Sequence, residues 1–147
     1  DKKIKARNRQ DNILKNILFL PSTDSLPSKK LIYIYNEIIA SCYKLGFSCH
    51  VKSHPNINFR LEIDLKFCKQ IAPDIPAELL FDEYKFLIGT SSSSIAFFDQ
   101  VSISIIDIFN DKYSSMKTRK HLEGIDKNKK IYYPKNEKQL INFLKQY

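Results

Sequence analysis

Short apolar runs, closed by turn-forming residues and separated by longer helical patterns, limit most strongly how this chain can fold. Asn16–Leu20, Phe47–Lys52 and Tyr84–Gly89 each read as a buried strand, and Val101–Phe109 reads as another, rich in Ile alternating with Ser. Pro21-Ser22-Thr23-Asp24-Ser25 closes the first run, and Pro27-Ser28 opens a helix through about Leu45. Leu31, Tyr35, Ile38, Ile39 and Cys42 recur there at helical spacing, and Gly46 is the natural C-cap. Phe67–Ala72 is a brief strand, Pro76 starts a short helix through Leu80, and Ser92–Phe98 is helical. A polar helix over Tyr113–Leu122, a strand at Lys130–Tyr133 and a last helix from about Glu137, N-capped by Asn136, complete the order.

Strands alternating with helices predict an α/β domain, Rossmann-like, with three layers and a mainly parallel sheet. Right-handed crossovers would put every strand's C-terminal end on one edge. Residues 1–15, polar and basic, read as a linker or N-terminal extension, and residues 16–147 as the domain. A length of 147 residues suits one domain with a real core. Within it, Asn56–Lys66 reads as a loop.

Composition bounds the function classes. No apolar run approaches the roughly 18 residues of a membrane span, and no signal peptide pattern is present. The opening Asp1-Lys2-Lys3, without an initiator Met, reads as the start of a fragment or processed piece. Cys42, Cys49 and Cys68 contain no C-x-x-C pair, which argues against a disulfide scaffold or zinc knuckle and for a reducing cytoplasm. The net charge of +8 gathers before Lys15 and from Lys117 to Lys138. It is compatible with nucleic acid, anionic lipid, phosphorylated substrates, or simply a solvated Lys-rich surface. The Tyr and Phe residues form no RNP-like motif, so nucleic acid is not the expected partner.

Two strand exits carry chemistry. Lys52-Ser53-His54-Pro55 brings a cation and an imidazole that Pro55 holds out of helical geometry. Gly89-Thr90-Ser91-Ser92-Ser93-Ser94 brings hydroxyls and backbone N–H groups at the mouth of a helix, with Gly89 allowing a sharp turn. Together they are equipment for holding a phosphate, though neither is a Walker A loop nor a nucleophile elbow. Between them, Ile75-Pro76-Ala77-Glu78 supplies a carboxylate suited to the two hydroxyls of a ribose. Each has a plain alternative: a turn histidine, a serine-rich cap, a first-turn Glu favoured by the helix dipole. His50 and His54 lack a third ligand for zinc, His121 lies in a Lys-rich helix and reads as solvent-exposed, and Asp107 reads as a buried or strand-end carboxylate.

The order Lys-x-His-Pro, Ile-Pro-Ala-Glu, Gly-Thr-Ser-Ser-Ser-Ser resembles the C-terminal donor-binding domain of bacterial GT-B sialyltransferases, glycosyltransferase family 52 and the polysialyltransferase group. The resemblance covers about residues 16–110. It implies half of a GT-B fold that binds CMP-sialic acid and transfers sialic acid, with inversion and without a metal, to a glycan acceptor of lipooligosaccharide or capsule. It also implies that His54 contacts the donor phosphate and acts as general acid, with Pro55 completing its motif. Ser92 and Ser93 hold the phosphate, with Ser91 and Ser94 as register alternatives, while Glu78 binds the ribose and Lys52 adds charge. The acidic motif that carries the family's general base does not occur here, so an N-terminal acceptor-binding domain of the same protein would supply it. Such an enzyme works in the cytoplasm, at or near the inner face of the membrane, where peripheral association is expected. CDP-glycerol glycerophosphotransferases show a similar loop pair, and Asp111-Lys112-Tyr113 is reminiscent of a segment of theirs. A non-catalytic module binding nucleic acid or an acidic partner through its basic ends is the reading from another class.

Overall fold

The computed structural model describes residues 15–22, 28–53 and 66–147. The expected linker up to residue 14 and the loop over residues 56–65 lie outside the described residues. Among those described, strands β1 (Asn16–Leu20), β2 (Ser48–Lys52), β3 (Lys69–Ile71), β4 (Phe86–Gly89) and β5 (Val101–Ser104) form one sheet in the order β3-β2-β1-β4-β5. Every pairing is parallel, with Leu18 opposite His50 on one side and Leu87 on the other. The chain steps outward from β1 to β3, then returns to the other side of β1 for β4. The topological switch point therefore lies between β1 and β4, and their carboxyl ends border the crevice where such sheets bind ligands.

Among the described residues four α-helices cover the sheet: α1 (Ser28–Lys44), the single-turn α2 (Ser94–Phe97), α3 (Lys112–Ile125) and α4 (Glu137–Leu144). Both faces of a parallel sheet are buried at its centre, which is why β1 and β4 are apolar along almost their whole length, while the outer β2, β3 and β5 carry polar residues. Ile17, Phe19, Val51 and Ile88 pack on one face with Leu31, Tyr35 and Ile38 of α1 and Leu140 and Leu144 of α4. Leu18, Leu20 and Leu87 face the other way, against Ala77, Tyr84, Ile95 and Leu122. The three cysteines are buried and in no disulfide, and burial, with Cys68 nearby, pushes Cys49 up to about 12. No helix among the described residues is long and apolar enough to cross a membrane.

The structure shortens several predicted elements. The strand expected over Tyr84–Gly89 begins at Phe86, and the helix expected over Ser92–Phe98 narrows to α2. The helix expected from Pro76 is a 3-10 helix over Ala77–Glu83. The strand expected through Phe109 ends at Ser104, and Ile106–Phe109 winds into a second 3-10 helix stopped by Asn110 at φ 55°. The cause is Ser104, whose hydroxyl donates to the Thr90 carbonyl at 2.6 Å and accepts from the Ile106 N–H at 3.5 Å. Those bonds turn the chain, and Ile106 and Phe109 stay buried through helical spacing instead of alternation.

The strand expected at Lys130–Tyr133 is reduced to one parallel bridge, Ile103 to Tyr132. Buried Asp126 accepts the N–H groups of Lys130 and Ile131 at 3.2 and 3.0 Å, so those donors are spent before the sheet edge. Pro134, two residues on from Tyr132, offers no N–H to continue the ladder.

Candidate functional site

A cleft of about 530 Å³ opens at the carboxyl edge of the sheet, over the switch point. Leu20, Pro21 and Ser22 enter it from the end of β1, Lys52 from β2, Pro73–Glu78 from beyond β3, and Ser91–Ser94 from beyond β4. The three signals separated in sequence thus meet at one place: Lys52, Glu78 and the serine loop share a cavity. Gly89 and Thr90 do not line it. His54 and Pro55 follow directly on Ser53 and lie outside the described residues.

The serine loop is held from several directions. Thr90 is fully buried, its hydroxyl paired with the Tyr35 hydroxyl at 2.6 Å and its carbonyl accepting from Ser104. It anchors the loop to α1 and β5. The hydroxyls of Ser91 and Ser22 pair at 2.8 Å across the two strand ends, and the Ser91 N–H reaches the same Ser22 oxygen at 3.3 Å. The Ser94 hydroxyl donates to Glu78 Oε1 at 3.1 Å, and the Ser93 hydroxyl meets His121 Nε2 at 3.3 Å. Ser92 lines the cleft between them.

Two expectations about this loop change. Gly89 ends β4 inside the ladder and lies outside the left-handed region, so a sharp turn is not its reason. A Cβ there would lie 3.1 Å from the Leu20 carbonyl oxygen and 2.8 Å from Ile95 Cδ1, so close packing is. The helix after the serines is one turn long, and its aligned peptide dipoles are too few for the field of a long helix. The groups in this cleft able to attract an anion are therefore the hydroxyls and Lys52, not the dipole of α2.

Lys52 is buried at 6% exposure, with Nζ donating to the Pro73 carbonyl at 3.1 Å. Burial pulls its pKa below the ordinary lysine value, while the carboxylates of Glu78 and Asp74 push the other way. A desolvated ammonium held at a cavity wall is strongly attracted to any anion that enters, because little water screens the pair. Lys52 is the one cation among the described lining residues, facing Asp74 and Glu78.

Other candidates have structural partners. His50 Nδ1 meets the Tyr84 hydroxyl at 2.6 Å, which pins β2 to the chain entering β4. Burial lowers the His50 pKa, Lys69 adds to this and Glu83 opposes it, while burial raises Tyr84 to about 12. Asp107 follows β5, accepts from the Ser115 hydroxyl and pairs with Arg119 at 3.1 Å. Asp111 caps α3 by accepting from the Ser114 N–H at 3.0 Å, a structural reason for the residue. Among the described residues no cluster of three or more His, Cys, Asp or Glu is placed to hold a metal ion.

Sequence reasoning missed Ser22 and Asp74 as cleft residues. Ser22 carried a usable signal, since it directly follows the exit of a strand next to the switch point. Asp74 carried none, because its place depends on how the chain leaves β3. No protein-family model matches the chain, and no curated protein matches it.

Proposed function

We propose that the chain is the donor-binding half of a glycosyltransferase, taking a cytidine nucleotide-sugar, CMP-sialic acid, in the cleft at the sheet's carboxyl edge. The observation that carries this reading is the convergence of Lys52, Glu78 and Ser91–Ser94 on that one cavity. In this reading the phosphodiester lies against Lys52 and the serine hydroxyls, and the ribose diol faces Glu78.

Transfer would proceed by inverting displacement. An acceptor hydroxyl oxygen bonds to the anomeric carbon as the bond from that carbon to the phosphate oxygen breaks. Cytidine monophosphate leaves with the bonding pair. Preorganised donors at the cleft wall stabilise the developing charge, the type of effect that contributes most in such sites. His54 is the assigned acid toward the leaving group. The acceptor's proton goes to a carboxylate of a second, acceptor-binding domain. In this account the chain alone binds donor without turning it over, and a glycan and that domain are its partners.

Thermal denaturation with and without cytidine 5′-monophosphate tests the proposal. A ligand at about 100 times its Kd stabilises by about 2.7 kcal/mol, which is a readable rise in the midpoint. Wild type should show that rise, and Ser92→Ala/Ser93→Ala and Lys52→Met should lose it. No shift with the nucleotide, together with salt-sensitive RNA or DNA binding, would replace the proposal with a nucleic-acid module.

A further inference from the structure

We propose that His121 is a positioning residue of the cleft, orienting the Ser93 hydroxyl as a donor toward the anion of the ligand; this rests on the anion-binding reading of the site. The basis is a juxtaposition that the sequence conceals. His121 lies 28 residues beyond Ser93, on the Lys-rich helix α3, yet its Nε2 sits 3.3 Å from Ser93 Oγ. Ser93 lines the cleft between Ser92 and Ser94. Leu122, the next residue of α3, is fully buried in the core beneath, which fixes that turn of the helix against the fold. His121 itself is exposed.

The pattern of the serine loop sets this contact apart. Ser91 pairs with Ser22, and Ser94 pairs with Glu78, so those hydroxyls are tied to other walls of the same cleft. Ser93 is tied to a side chain from α3, an element that contributes no residue to the lining. An exposed imidazole has water as a partner in every direction and gains little stability from one 3.3 Å contact. Its value lies in what it does to Ser93.

A serine hydroxyl has one proton and two lone pairs, and each ring nitrogen of histidine either donates or accepts. When Nε2 accepts, the Ser93 proton points at the ring and lone pairs face the cleft, an arrangement that repels an anion. When Nε2 carries hydrogen, it donates to Ser93 Oγ and the hydroxyl proton turns into the cleft. The anion then completes a chain running from the imidazole N–H through the hydroxyl to the negative oxygen. Each bond in such a chain polarises the next, and bonds to a charged acceptor are the stronger kind. An anion in the cleft therefore selects the donor form of Nε2, and the presence of hydrogen on His121 Nε2 sets how Ser93 is presented.

Nitrogen-15 NMR of the His121 ring, combined with affinities for inorganic phosphate and cytidine 5′-monophosphate, tests this. Either probe should move the Nε2 resonance from its acceptor toward its donor position, and Ser93→Ala should abolish the movement. His121→Ala should weaken both probes about five- to tenfold, the loss of one modest hydrogen bond. His121→Gln, whose amide nitrogen can donate from a similar place, should recover most of that loss. Adding Ser93→Ala to His121→Ala should cost little further, because the two act as one unit. Unchanged binding by His121→Ala, or a loss that His121→Gln does not recover, overturns the proposal. His121-dependent phosphate binding without nucleotide binding keeps it and removes the cytidine reading. Wild type binding neither probe removes both.

Discussion

Gly46 closes α1 in the left-handed region at φ 91°, whereas Gly89 sits in a strand where any residue's backbone would fit. At α1 the Phe47 N–H returns to the Cys42 carbonyl at 3.1 Å and the Gly46 N–H to the Tyr43 carbonyl at 3.0 Å, a Schellman motif. A Cβ on Gly46 would meet nothing within 4 Å, so only its conformation resists substitution. A Cβ on Gly89 would press on the Leu20 carbonyl, so only space resists. Gly46→Ala should therefore cost about 1–2 kcal/mol and Gly46→Asn much less, since Asn tolerates that region. Gly89→Ala should cost about 1–3 kcal/mol and Gly89→Asn more still. Urea unfolding of the four variants checks the opposite ranking. His50 offers a second prediction at this scale. Its folded pKa lies below the unfolded value of about 6.5, so the unfolded chain takes up the proton first as pH falls. Stability rises with pH wherever the unfolded state binds more protons, so wild type should lose stability on acidification through that window. His50→Gln keeps a partner for Tyr84 without titrating, and its midpoint should fall less between about pH 7.5 and 5.5.

Elements were legible where local chemistry decides them and illegible where a distant partner does. The apolar positions of α1 are the ones the 3.6-residue period picks out, and Asn136 caps α4 by accepting from the Gln139 N–H at 2.8 Å, as the sequence predicts. β5 and the Lys130–Tyr133 segment went differently because side-chain carboxylates and hydroxyls intercepted backbone donors. Ile-Ser alternation reads as strand to the end, but Ser104 spends its hydroxyl on Thr90, a residue of another loop. Asp126 does the same to Lys130 and Ile131. This makes Asp126 the hinge between α3 and the sheet edge. Asp126→Ala would leave two backbone N–H groups near a buried position without their acceptor, at a cost of about 2–3 kcal/mol. Hydrogen exchange at Tyr132, whose N–H bonds to the Ser102 carbonyl at 3.0 Å, should speed up in that variant while exchange in β1 stays slow. Equal acceleration at Tyr132 and in β1 would show that Asp126 merely contributes to global stability.

At the scale of the molecule, the site is a consequence of strand order. The order β3-β2-β1-β4-β5 places the exits of β1, β2 and β4 beside one another, and the chain beyond β3 closes the ring. The alternation of strands and helices made that edge predictable, so Lys52, Glu78 and the serines could be grouped before their contacts were known. Asp74 and His121 could not, because their places depend on contacts between parts of the chain far apart in sequence, whereas Ser22 sits next to a strand exit and could have been. In the assembled cleft the carboxylates meet the cation and the hydroxyls: Glu78 accepts from Ser94, and Glu78 and Asp74 act on Lys52. Glu78 carries the sharpest consequence of the nucleotide reading. A ribose seated on Glu78 presents a 2′-hydroxyl that a deoxyribose lacks, and a hydrogen bond to a charged acceptor is worth about 1.5–3 kcal/mol. Cytidine 5′-monophosphate should therefore bind wild type about ten- to a hundredfold more tightly than its 2′-deoxy analogue. Glu78→Ala should weaken the ribonucleotide, which loses two hydroxyl contacts, more than the analogue, which loses only that of its 3′-hydroxyl, collapsing the ratio toward one. Calorimetric titration of both ligands into both proteins reads this directly. A ratio that survives in Glu78→Ala moves the ribose away from Glu78, and a ratio near one in wild type removes the ribose from that part of the cleft.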